Sequence, residues 1–147
     1  MDEAVIKYYR GLLKNGFQYA GSLENPSIFI NSVGENLPIC GSLSRDYVHI
    51  FIQMEGQQIE TIKYLCTCDP TANVIFEILC YLTEGKTVQE IKKIKVEAFS
   101  AICGSRQPDF VKRVGNALEL LTRGFKRYLS PQAVDISQSQ NISPTPN

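Results

Sequence analysis

Residues 46–66 read Asp46-Tyr47-Val48-His49-Ile50-Phe51-Ile52-Gln53-Met54-Glu55-Gly56-Gln57-Gln58-Ile59-Glu60-Thr61-Ile62-Lys63-Tyr64-Leu65-Cys66. From Asp46 to Glu55 the pattern has a period of two. Val48, Ile50, Ile52 and Met54 line one face, and Tyr47, His49, Phe51 and Gln53 line the other. Successive side chains of a strand point to opposite sides, so this is a strand with one apolar face. Glu55-Gly56-Gln57 reads as a hairpin turn, and Gln58 to Cys66 as the returning strand. So short a connection dictates antiparallel pairing.

Upstream, Ser27-Ile28-Phe29-Ile30-Asn31 offers a third, short strand. The segment from Asp2 to about Leu13 has Val5, Ile6, Tyr9, Leu12 and Leu13 at helical spacing, with Asp2 and Glu3 at the end where the helix dipole favours acid. Residues 31–44 are rich in Gly, Ser, Asn and Pro, and read as a loop carrying Cys40. Downstream the chain turns helical. Asp69 or Thr71 can cap a helix that has Pro70 in its first turn and ends at Gly85. Thr87-Val88-Gln89-Glu90 has the form of a capping box before a short helix. A further helix is expected over Ile94 to Ile102, and the longest from Pro108 to about Leu129. The last has Phe110, Val114, Ala117, Leu118, Leu121, Phe125 and Tyr128 at helical spacing. The order predicts an α+β fold, a small antiparallel three-stranded sheet packed against several helices. It sets one domain over residues 1–130, followed by a disordered polar tail over 131–147, where Ser, Gln and Pro dominate.

Composition restricts function. The 147 residues are 44% hydrophobic and 20% charged, a globular balance. Fifteen basic and fifteen acidic residues cancel, which argues against nucleic acid as a partner, since phosphate binding needs a surplus of cations. No stretch approaches the roughly 18 apolar residues of a membrane helix, and the acidic start lacks the features of a signal peptide. With five cysteines, an odd number, the expectation is a cytoplasmic protein with free thiols. There is one histidine, His49, in an aromatic strand row that reads as packing rather than catalysis. Any chemistry therefore falls to thiolates and carboxylates.

Three cysteines gather near strand ends. The hairpin brings the start of one strand beside the end of the other, so Asp46 neighbours Cys66 and Cys68, with Cys40 six residues upstream of Asp46. The helix beginning at Pro70 adds its N-terminal N–H groups, which favour thiolate. Two or three cysteinates and a carboxylate suit Zn²⁺ or iron–sulfur ligation. Cys80 reads as a small core residue, and Cys-x-Cys is not the spacing of a zinc knuckle. The basic residues Lys92, Lys93, Lys95, Lys112, Arg113, Arg123, Lys126 and Arg127 suggest a positive face on the helical half. That face is either solvated or a dock for an acidic partner. There is no Gly-rich phosphate loop.

The order of these motifs resembles the NifU/IscU-type iron–sulfur cluster assembly scaffolds, over roughly residues 4–129. The opening helix of that family has a Val-Ile-x-x-Tyr pattern, matched by Val5-Ile6-Lys7-Tyr8-Tyr9. Its Pro-x-Cys-Gly-Asp motif is matched in part by Pro38-Ile39-Cys40-Gly41-Ser42. Its Ile-Glu pair is Ile59-Glu60, and its helix-ending Gly-Lys is Gly85-Lys86. Counted without gaps, the family's Gly-Cys falls on Cys68-Asp69. The departures are specific. Ser42 stands where the family has aspartate, and Asp46 replaces it only across an insertion of residues 42–45. Counting back from Ala117-Leu118 puts Phe110 at the third cysteine position. The Leu-Pro-Pro-Val-Lys chaperone motif is missing.

The resemblance implies a SufE/NifU-like fold and a carrier rather than an enzyme. Cys40 and Cys68 would accept sulfur or bind a [2Fe–2S] cluster or iron, with zinc as the other candidate. Asp46 would be the exchangeable oxygen ligand, with Cys66 and Asp69 available to complete the metal set. The implied partners are a cysteine desulfurase and cluster-recipient proteins. Ser42 and Phe110 favour a rival, in which the fold persists as an interaction or regulatory module without a cluster. A third reading is a zinc-bound sulfur-transfer protein.

Overall fold

The computed structural model describes residues 2–40 and 45–129. Both the Ser42 substitution and the expected polar tail lie outside the described residues. The elements run α1 (Glu3–Asn15), β1 (Ile28–Asn31), β2 (Val48–Glu55), β3 (Gln58–Cys66), α2 (Pro70–Thr83), α3 (Val88–Ile91), α4 (Val96–Cys103) and α5 (Pro108–Leu129). The fold is α+β. Its sheet has the order β1-β2-β3, and both pairings are antiparallel.

The alternation expected of β2 is present: Val48, Ile50 and Ile52 are fully buried and Met54 nearly so. The turn after β2 is tight, with Glu55 opposite Gln58, and Gly56 takes φ of 61°, a left-handed conformation that glycine adopts without strain. β3 does not alternate cleanly, because the register shifts opposite Gln53 and Met54. Thr61 pairs with Gln53, whereas Ile59 pairs with Met54, so Glu60 is an extra residue. This bulge flips the parity of the strand and lets Ile59, Ile62 and Tyr64 all face the core.

Helices α1, α2, α4 and α5 pack on the sheet or on one another. α2 lies against β3 and touches α1, α4 and α5. Contact on so many sides explains why Val74, Ile75, Phe76, Ile78, Leu79 and Cys80 are all fully buried. α5 crosses β1 at close range: a Cβ added to Gly124 would lie 2.6 Å from Ile30 Cγ1. The caps act as their residue types dictate. Asp69 caps α2, accepting from the Ala72 N–H at 3.1 Å, with Pro70 in the first turn. Thr87 and Glu90 form the reciprocal capping box of α3. Among the described residues no helix is long and apolar enough to cross a membrane.

Candidate functional site

The hairpin ends meet the start of α2 at one corner of the sheet. Val48 pairs with Cys66, and the pairing continues past the strand ends: the Thr67 N–H donates to Tyr47 O at 3.0 Å, and the Tyr47 N–H donates to Thr67 Oγ1 at 2.9 Å. Thr67 Oγ1 in turn reaches Asp46 Oδ1 at 3.4 Å. Cys68, next along, has its Sγ 3.7 Å from Tyr47 O. The corner therefore gathers Asp46, Cys66 and Cys68, as the hairpin topology requires.

Cys40 comes to the same corner from the opposite side. Its sulfur meets that of Cys68, with the Cα atoms 5.0 Å apart, inside the range over which two cysteines can be bridged. The two sulfurs meet because two loops converge, and Cys66, Cys80 and Cys103 stand apart from that pair. Cys80 and Cys103 are buried apolar residues, as a small hydrophobe in a core would be. Burial pushes the Cys66 thiol up to about 12, and the nearby Asp69 and Asp46 carboxylates add to the rise.

α5 holds the Cys40 loop in place with a ladder of side chains. Arg123 and Arg127 both pair with Glu35, at 3.1 and 2.6 Å. Arg123 Nη1 also donates to Glu35 O. Two turns back from Arg123, Asn116 Nδ2 donates to Pro38 O at 2.7 Å. Arg113 then reaches across the corner. Its Nη1 donates to Ile39 O at 3.4 Å and to Asp69 Oδ1 at 2.7 Å, and its Nη2 lies 3.0 Å from Asp109 Oδ2. One guanidinium therefore links the residue before Cys40 to the residue after Cys68. Arg113, Arg123 and Arg127 do not form an open cationic face. They are fasteners for the loop that carries Cys40.

Asp69 has two tasks, capping α2 and pairing with Arg113. Partial burial pushes its carboxyl upward, but the Arg113 hydrogen bond, the Ala72 N–H and the guanidinium charge outweigh burial and hold it below the usual carboxylate range. Phe110, the residue reached by counting back along α5, is buried in the core. The α5 side chain with polar contacts at the corner is Arg113, one turn further on. Among the described residues, no group of three or more His, Cys, Asp or Glu side chains is placed to share one metal ion. His49 stacks on Tyr47, with ring centroids 4.3 Å apart, and meets Phe29 and Phe51 edge-on. Its role there is packing on the open face of the sheet.

No protein-family model matches the chain, and no curated protein is similar to it. Solved structures are similar to it. One is a putative iron–sulfur cluster assembly scaffold protein for the SUF system from Fervidobacterium islandicum AW-1. It is 16% identical, covers 92% of this chain and 86% of its own, and has a TM-score of 0.46. Another is the N-terminal part of a nitrogen-fixing NifU-like protein from Brucella abortus, 12% identical over 90% of this chain and 87% of its own, with a TM-score of 0.48. A third, a hypothetical protein, is 14% identical over 90% and 96%, with a TM-score of 0.46.

Proposed function

We propose that this chain is an iron–sulfur cluster assembly scaffold-like protein in which Cys40 and Cys68, once reduced, take up sulfur or iron. The observation that carries this reading is the meeting of those two sulfurs, 28 residues apart in sequence, at the N-terminus of α2. Thiolates are soft anionic donors, suited to iron–sulfur species and zinc. Asp46, whose carboxylate accepts from the Thr67 hydroxyl and takes part in no ion pair with Arg113, is the oxygen ligand of this reading. Asp69 joins the ligand set only by leaving Arg113. The iron or [2Fe–2S] cluster is cargo, supplied with sulfur by a cysteine desulfurase and passed to recipient proteins, so the chain is a carrier and not an enzyme.

Anaerobic reconstitution of the reduced protein with iron and sulfide tests this. The expected result is visible absorbance that disappears in Cys40→Ala and in Cys68→Ala. A colourless protein whose variants keep the same metal content would sink the reading. Arg113 favours a second reading, because it already holds the Asp69 carboxylate and sets a positive charge beside the place a metal cation would take. In that reading the fold is an interaction or regulatory module without a cluster. It predicts no bound iron but intact complex formation with a desulfurase. Zinc at one per chain would point instead to a sulfur-transfer protein.

A further inference from the structure

We infer that Cys40 and Cys68 are a reversible redox lock: the pair cycles between dithiol and disulfide, and the disulfide removes both sulfurs from service. The consequence for iron or sulfur uptake rests on the function proposed above, but the disulfide chemistry does not.

Three observations carry it. The Cα atoms stand 5.0 Å apart, so the bond closes without moving either backbone far. Both cysteines are half-buried at the end of the sheet rather than enclosed in the core, so a small thiol or disulfide reaches them. The corner also keeps its shape without the bond. Arg113 ties Ile39 to Asp69, Asn116 holds Pro38, Glu35 is fastened by Arg123 and Arg127, and Thr67 is paired with Tyr47. Reduction therefore leaves the two thiols side by side, and re-closure is an intramolecular step at high effective concentration. A disulfide that held otherwise separate segments together would lack this property.

The reaction balances with a low-molecular-weight disulfide such as glutathione disulfide as the oxidant. The thiolate of one cysteine attacks a glutathione sulfur, breaks the S–S bond and releases one glutathione thiolate. The thiolate of the second cysteine attacks the resulting mixed disulfide at the protein sulfur and releases the second glutathione. Two protons leave the cysteines, and two electrons pass to glutathione disulfide. A dithiol reductant reverses both steps.

The test is a thiol count on the full chain, equilibrated without metal across glutathione to glutathione disulfide ratios from strongly reducing to strongly oxidising. Samples are acid-quenched, unfolded and alkylated. The expected count falls from five to three across this range and returns to five with dithiothreitol. Peptide mapping should join Cys40 to Cys68, and Cys40→Ser should replace the bridge with a glutathione adduct or a free thiol at Cys68. A count of three at every ratio, meaning a fixed structural bond, overturns the inference. So does a count of five throughout, or a bridge involving Cys66 or Cys103. If the count switches but the reduced protein takes up no iron or sulfide, the lock stands and the scaffold reading falls. If the oxidised protein takes up iron and sulfide as well as the reduced one, the lock is wrong.

Discussion

Arg113 Nη1 lies 2.7 Å from Asp69 Oδ1, an ion pair that spans 44 residues and closes the cysteine corner. The Arg113 side chain is mostly buried and that of Asp69 about one-third exposed, so the pair falls between an exposed bridge and a core one. Its worth should lie between those limits, at about 1–2 kcal/mol. Asp69 also caps α2, which confuses a simple deletion. Asparagine is as good a cap as aspartate but carries no charge. Asp69→Asn should therefore lose only the ion pair, and Asp69→Ala the pair and the cap. Urea unfolding should order the variants as wild type, then Asn, then Ala. In a cycle with Arg113→Ala the two effects should fall short of additive. Additive losses would mean that the contact contributes nothing.

What the sequence made legible here is local. The alternation of Val48, Ile50, Ile52 and Met54 places the core face of β2, and the hairpin then brings Asp46 beside Cys66 and Cys68. Thr87 and Glu90 announce their own cap. The extra residue at Glu60 was not legible, because a bulge depends on which partner atoms pair, not on a pattern within one strand. Nor was the role of Arg113. On α5 it looks like one more cation among eight basic residues of the helical half, and only the fold brings it to Ile39 and Asp69. Counting along the chain reached Phe110, whose apolar side chain belongs to the core, because sequence spacing fixes a helix face only after the helix has been placed.

The two glycines within α5 should respond in opposite ways to alanine. At Gly115 an added methyl meets nothing within 4 Å, so Gly115→Ala should gain helix propensity, stabilising by about 0.5–1 kcal/mol. At Gly124 the same methyl runs into Ile30, which is fully buried and has no room to turn aside. There the overpacking cost of about 1–3 kcal/mol should exceed the propensity gain. Thermal unfolding should move Tm up in the first variant and down in the second. Equal shifts would show that α5 does not press on β1 as the structure places it.

Glu35 links the Cys40 loop to pH. Hydrogen bonds from Arg127 and then Arg123 hold its carboxyl below the ordinary 4.5. A carboxylate depressed in the folded state contributes stability that is complete above its unfolded value and is lost as pH falls through its folded value. Asp69 acts with the same sign from its ordinary 3.8. The urea midpoint should therefore hold level near neutrality and fall on acidification below about pH 4.5. Glu35→Gln should start lower at neutral pH and fall less steeply on acidification. A variant whose pH profile runs parallel to the wild type would remove Glu35 from the account.

Glu77 is the buried carboxylate of α2, and it fastens the turn after α1. Its Oε2 accepts from the Gln18 N–H at 2.7 Å. Its Oε1 accepts from the Tyr64 hydroxyl at 3.0 Å and from the Tyr19 N–H at 3.4 Å. Burial, reinforced by the Glu77 charge, raises the Tyr64 hydroxyl, so it stays a donor throughout the accessible pH range. Both oxygens therefore face donors. Glutamine keeps the shape but must turn an NH₂ toward one of those donors, leaving a buried clash of like groups. Glu77→Gln should cost about 1–3 kcal/mol despite being nearly isosteric. Tyr64→Phe removes one donor and leaves both backbone bonds, so its cost should be smaller, about 1 kcal/mol. Hydrogen exchange at Gln18 and Tyr19 separates this account from a general loss of stability. In Glu77→Gln those two amides should lose protection beyond the global change, whereas in Tyr64→Phe they should follow it.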